Sequence, residues 1–193
     1  MPYISPNDRL KFKDHIETII GIIAEGAEAL YIKGEYFGYF VHRFVKKFAG
    51  DPKYTGPAFN STFFNPSKLK TLANSADSAS ALLNRADPLS AAGELNYVIS
   101  TVYSGLLGEA ERCLGTTYGL RVYLRGILEK TKISIESNNS GSQSDATMAF
   151  RRHLIVRGVL DEVIDEMYRR HTSVYEDGKL KENGDLWVGG KLA

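Results

Sequence analysis

Cysteine is almost missing from this sequence. The single Cys113 among 193 residues excludes a disulfide framework and any zinc site built on cysteine pairs. Lying between Arg112 and Leu114, the thiol reads as a small buried hydrophobe rather than a reactive group. Long apolar runs are absent as well. No stretch of about 18 apolar residues is present to span a bilayer, and the opening MPYISPNDRLKF has no apolar signal core. The expectation is a soluble, intracellular protein with no membrane partner. Neither charge sign dominates: 24 lysines and arginines face 23 aspartates and glutamates, for a net charge of +1, so no global basic field argues for nucleic acid. Catalytic signatures are also lacking. There is no P-loop, no GxSxG and no GxGxxG between a strand and a helix. His15, His42, His153 and His171 lie on separate segments without HxxH, HExxH or an adjacent His-Asp pair, which disfavours a His/Asp metal phosphohydrolase.

What the sequence does contain is helix. Hydrophobic residues make up 43% and charged residues 24%, enough for a real core in one domain spanning 1–193. Ser5 is a capping residue, Pro6 suits the first helical position, and Asp8 supplies negative charge to the first turn. Phe12, Ile16, Ile19, Ile20, Ile23, Ala27 and Leu30 then share a face. Gly34 breaks this pattern, and a second helix is predicted from about Glu35 to Phe48. Phe37, Phe40, Val41, Phe44 and Phe48 form its apolar face, with Tyr36 and Tyr39 beside it and His42, Arg43, Lys46 and Lys47 opposite. Residues 49–66 read as a loop punctuated by three X-Pro pairs, yet Tyr54, Phe59, Phe63 and Phe64 imply that it lies against the body.

A third helix is predicted over about Ser67–Arg85, a fourth from about Ser90 to Glu94 onward, and a fifth over about Thr117–Lys130. In the fourth, Leu95, Val98, Ile99, Val102, Leu106 and Leu107 form the buried stripe. Residues 134–146 are polar and without period, a flexible loop. The last helix, about Asp145–Val174, carries a wide apolar stripe that includes Met148, Ile155, Val159, Val163, Met167 and Tyr168. Beyond it, Asn183-Gly184 signals a two-residue hairpin within a small tail at about 175–193. The fold expected is all-α, a bundle of five or six helices with a short C-terminal hairpin or turn.

Three constellations can carry chemistry. Glu25 and Glu28 form an ExxE, and Glu162 and Asp165 an ExxD. That spacing points two carboxylates the same way, as an Mg²⁺-dependent nucleotide pyrophosphohydrolase of the all-α type requires. The two pairs lie far apart in the chain. Secondly, Arg151, Arg152 and His153 recur as Arg169, Arg170 and His171 eighteen residues later, about five turns and 27 Å along one helix face. Two antiparallel protomers can bring such clusters together into an anion site. Alternatively, Arg169 and Arg170 simply pair with Asp165 and Glu166. Thirdly, Tyr175, Glu176, Asp177, Asn183 and Asp185 gather near Trp187, to coordinate a cation, to cap a pocket or to organise the turn and pin the tail.

Several short segments also carry a resemblance. Met1–Ile4 (MPYI), Gly93–Ile99 (GELNYVI), Gly158–Leu160, Tyr168–Arg170 (YRR), Tyr175–Asp177 (YED) and Glu182–Asp185 (ENGD) are similar to the segments of a family of small, mostly phage-encoded proteins of unknown function. The chain departs from that pattern by extra sequence around 31–89 and 134–146, and by a less apolar link at His171–Val174. The resemblance implies a phage accessory or early protein in the host cytoplasm and transfers no catalytic residue. With neither a nucleophile nor a metal triad, the leading expectation is a non-catalytic binding protein without a cofactor. It would sequester a small anionic ligand such as a nucleotide, or block a host protein. Tyr97, Tyr168, Arg169, Arg170, Tyr175 and Glu176 are the ligand-binding candidates. Wide apolar stripes suggest a homo-oligomer, and a virion or assembly component is a further alternative.

Overall fold

A computed structural model of the chain describes residues 4–27, 30–50, 64–84, 86–106 and 143–174, together with 177–178, 181, 187–188 and 191–192. Five α-helices stand among the described residues: α1 (Pro6–Gly26), α2 (Leu30–Ala49), α3 (Pro66–Ala81), α4 (Pro88–Leu106) and α5 (Gln143–Met167). A π-helical turn, Tyr168–Thr172, continues α5. A short antiparallel pair, β1 (Trp187–Val188) and β2 (Lys191–Leu192), follows with Trp187 opposite Leu192. The all-α bundle is as expected. Among the described residues, no helix is long and apolar enough to cross a membrane.

Helix α1 starts where its sequence says it should. The Asp8 backbone N–H donates to Ser5 Oγ at 3.2 Å, and Ser5 Oγ donates to the Asp8 carboxylate at 2.6 Å. The Ser5 hydroxyl and the Lys11 ammonium hold the Asp8 carboxyl below its ordinary range. Phe12, Ile16, Ile19 and Ile23 are buried on the opposite side. Asn65 caps α3 in the same way, its side-chain oxygen accepting from the N–H groups of Ser67 and Lys68.

The aromatic face of α2 is the centre of the core. Phe37, Phe40, Phe44 and Phe48 are all buried, as are Tyr36, Val41 and Val45. Around them stand Leu72, Ala76 and Ala79 of α3, Leu95, Val98, Ile99 and Val102 of α4, and Val156, Leu160 and Val163 of α5. Helix α2 packs on α3, and α4 lies between α1 and α5. On the basic side of α2, Arg43 is not simply solvated. It grips Asp77 of α3 with two hydrogen bonds, of 2.9 and 2.7 Å, the bidentate geometry for which guanidinium suits carboxylate.

Several boundaries differ from the sequence expectation. The first break falls between Gly26 and Leu30, and Gly34 sits buried inside α2. Burial of a whole aromatic face outweighs the roughly 1 kcal/mol by which a glycine weakens a helix. Helix α3 ends at Ala81 rather than near Arg85, leaving Leu82 exposed and Leu83 buried. Pro88 opens α4, earlier than expected. The last helix begins at Gln143, so residues 143–146 are helical, and it leaves α geometry at Tyr168, which is exposed instead of buried. Strands β1 and β2 flank residues 189 and 190 and are not centred on Asn183-Gly184. That dipeptide, the expected helix at 117–130 and residues 134–142 lie outside the described residues.

Gly26 marks a close approach between α1 and α2. A methyl group on Gly26 would lie 3.2 Å from the ring of Tyr36. That ring cannot easily yield: its hydroxyl accepts the Asn65 N–H at 2.9 Å, and it meets Phe64 edge-on at 4.8 Å. Gly26→Ala is therefore expected to lower stability by about 1–2 kcal/mol through overpacking, read as a lower urea midpoint at unchanged slope.

Candidate functional site

Helix α4 has no charged residue except Glu94 between Pro88 and Leu106. One of its faces carries Leu95, Val98, Ile99 and Val102 into the core. A second stripe, with helical spacing from Gly93 through Asn96, Tyr97, Ser100 and Thr101 to Ser104, is neutral and hydrogen-bonding. It runs for about 16 Å along the helix. This stripe forms the floor of an open cavity of about 500 Å³.

Two other parts of the chain wall the cavity: Ile4 and Arg9 from the start of α1, and Glu166 and Arg170 from the end of α5 and its π-helical turn. Two contacts help to hold Arg9. Its Nε–H donates to the Ile4 carbonyl at 3.3 Å, and its guanidinium lies 5.8 Å from the centre of the Tyr97 ring, within cation–π range. Asn96 is buried, and its side-chain oxygen accepts from Ser100 Oγ at 3.1 Å. On the far wall Glu166 is only 7% exposed. Both Arg169 and Arg170 form ion pairs with it. Oε2 accepts a hydrogen bond from Arg169, whereas Oε1 lies against Arg170 Nε without one.

Glu94, next to Gly93, faces the other way. It is 3% exposed, accepts the Asn84 N–H at 2.7 Å and pairs with Lys11. Lys11 also lies 3.3 Å from Asp8. Burial lowers the Lys11 pKa, but the two carboxylates more than offset that and hold it above the ordinary lysine value. Glu94 thus ties the α3–α4 turn and α1 to the helix that floors the cavity.

The structure therefore brings two of the six ligand-binding candidates, Tyr97 and Arg170, into one cavity. Arg169 stands at its edge on Glu166, and Tyr168 is 38% exposed. Tyr175 and Glu176 lie outside the described residues. Both arginines pair with Glu166 rather than dividing between Asp165 and Glu166. Of the upstream basic cluster, Arg152 has its guanidinium near Gly50, where a methyl group would lie 3.3 Å from Nη1. That is the C-terminal end of α2, where backbone carbonyls favour a cation. The side chains of Arg151, His153 and His171 are not among those described.

Of the alternative metal set, three residues are described. Glu25 is exposed and pairs with Lys68 of α3 at 3.4 Å, Glu162 and Asp165 are exposed on α5, and Glu28 lies outside the described residues. Among the described residues, no three His, Cys, Asp or Glu side chains gather in a way that would hold a metal ion. Sequence reasoning passed over Arg9, Asn96, Ser100, Thr101, Ser104 and Glu166. The signal for most of them was available: a helix whose less apolar face carries only Gly, Asn, Tyr, Ser and Thr has no solvent-facing charge, and that face is the one that lines the cavity.

The family model described as Domain of unknown function (DUF6899) matches residues 1–186. The chain belongs to this family. No curated protein and no solved structure matches it. Every residue lining the cavity falls inside the DUF6899 match. Ile4, Gly93 to Ser100 and Arg170 come from three segments widely separated in the DUF6899 sequence, and the fold places them around one space.

Proposed function

We propose that this protein is a non-catalytic binding protein that sequesters a small anionic ligand, such as a nucleotide, in the cavity between α1, α4 and the end of α5. One observation carries the reading: guanidinium groups from two different walls, Arg9 and Arg170, flank a floor of neutral hydrogen-bonding side chains in a cavity of about 500 Å³. Pockets of roughly 300–1,000 Å³ with a few convergent polar groups are the usual hosts of small molecules. A phage accessory protein acting in the host cytoplasm fits this role, because a sequestering protein needs a site and no nucleophile. A homo-oligomer is part of the same proposal, with exposed Leu10, Leu154 and Val174 as apolar surface for self-association.

The test is native mass spectrometry of the intact protein, followed by denaturation and analysis of what is released. The expected result is one small molecule retained by the wild type and lost from Ser104→Leu, which fills the cavity floor while the circular-dichroism melt stays within a few degrees. A wild type that retains nothing, and whose melting temperature no host metabolite extract raises, would sink the proposal.

A further inference from the structure

The floor of the cavity holds a residue that is buried and only partly engaged. Asn96 is 3% exposed. Among the described residues, its side chain makes a single hydrogen bond, accepted by Oδ1 from Ser100 Oγ at 3.1 Å. A side-chain amide offers two N–H donors and two lone pairs on its oxygen. One lone pair is taken. The second lone pair and the N–H groups of Nδ2 are left for whatever fills the cavity that Asn96 lines.

Ser100 does more than occupy Oδ1. It stands one turn beyond Asn96 on the same stripe, and by holding the oxygen it fixes the orientation of the whole amide plane. Helical side chains lean toward the helix N-terminus, so the turn beneath Asn96 is that of Gly93, which brings no side chain of its own. A flat group can therefore lie close to the amide.

A ligand seated on this floor shuts water away from Asn96, and an amide then left unpaired costs roughly tenfold or more in affinity. The site thus favours molecules that carry an acceptor and a donor side by side and rejects those without them. The open N–H and lone pair of an asparagine lie in one plane and point the same way, which is how asparagine reads the edge of a base with two hydrogen bonds. Every nucleobase has such an edge, an acceptor beside an N–H. The hydroxyls of a sugar radiate from a puckered ring and meet such a pair one group at a time.

Resting on the reading of this cavity as the site of a small anionic ligand, we infer that the ligand is a nucleotide and that Asn96 is the residue that recognises its base. The phosphate supplies the negative charge. The base supplies the discrimination.

Isothermal titration calorimetry on the intact protein compares adenosine, guanosine, cytidine and uridine 5′-monophosphates with ribose 5-phosphate, which carries the same phosphate and no base. At least one monophosphate is expected to bind roughly tenfold or more tighter than ribose 5-phosphate. In Asn96→Ala that ratio is expected to fall to about threefold or less, with ribose 5-phosphate itself bound within about threefold of its wild-type affinity. A purely structural role would weaken both ligands alike and leave the ratio standing. Asn96→Leu keeps the side-chain volume and is expected to show the same collapse, so it carries the test should the alanine variant melt early.

A wild type that binds every monophosphate no better than ribose 5-phosphate overturns the inference. So does a folded Asn96 variant that keeps the ratio. A retained molecule without a nucleobase in the native mass spectrum overturns it too, while leaving the cavity as a ligand site. If no probe binds and nothing is retained, both readings fall together.

Discussion

Glu94→Ala is expected to lower the free energy of unfolding by about 2–4 kcal/mol. The loss has two physical parts. The Asn84 N–H, which now donates to Glu94 at 2.7 Å, is left without that acceptor where the chain turns from α3 into α4. Lys11 loses the buried member of its pair of carboxylates. It keeps Asp8 at 3.3 Å and has a side chain 29% exposed, so the cost falls short of that of a fully buried broken pair. Glu94→Gln retains an acceptor for Asn84 and removes only the charge, so about half the loss is expected. Urea denaturation followed by circular dichroism measures both. Equal effects from the two variants would mean that the charge, and not the backbone acceptor, holds the turn.

Phe40→Ala is expected to cost about 3–5 kcal/mol, the range for emptying a buried aromatic site. Phe40 is fully buried, 6.1 Å from Phe37 and 5.6 Å from Phe44 between ring centres, with the second pair stacked. Its neighbours are large rings on the same helix, which cannot relax into the space without leaving their rotamers. Phe40→Leu, which conserves most of the volume, is expected to cost less than half as much. Thermal unfolding monitored at 222 nm would show both. A loss under 1 kcal/mol for the alanine variant would mean that the stripe is not the centre of the core.

Helical periodicity was enough to reveal most of this architecture. The Phe12 to Ile23 face of α1 and the Phe37 to Phe48 face of α2 are buried where their spacing places them, because each stripe has one surface to cover. The caps at Ser5 and the proline that opens α1 follow from local chemistry alone. Boundaries were harder wherever tertiary burial overrides propensity. Gly34 is a helix weakener in isolation, but the aromatic face that spans it makes interruption costlier than continuation. The π-helical turn at Tyr168 has no composition of its own, since YRRHT would continue an α-helix equally well.

The site was half visible. Tyr97 and Arg170 stood out as an aromatic and a cation within distinctive segments. Arg9 and Glu166 did not, because single charges on amphipathic helices look like solvated faces until a third element covers them. Asn96, Ser100 and Ser104 could have been found by asking why α4 carries no surface charge.

The cavity also has a temporal consequence. Its walls use residues near position 4 and near position 170, so most of the chain must leave the ribosome between the first wall and the last. At about 5–20 residues per second, the interval between Arg9 and Arg170 is roughly 8–32 s. Throughout that time the α4 stripe has no wall on the Arg170 side. In the proposed role, a ligand therefore cannot template the folding of the helices that come first; it can only lock α1 to the end of α5 once both are present.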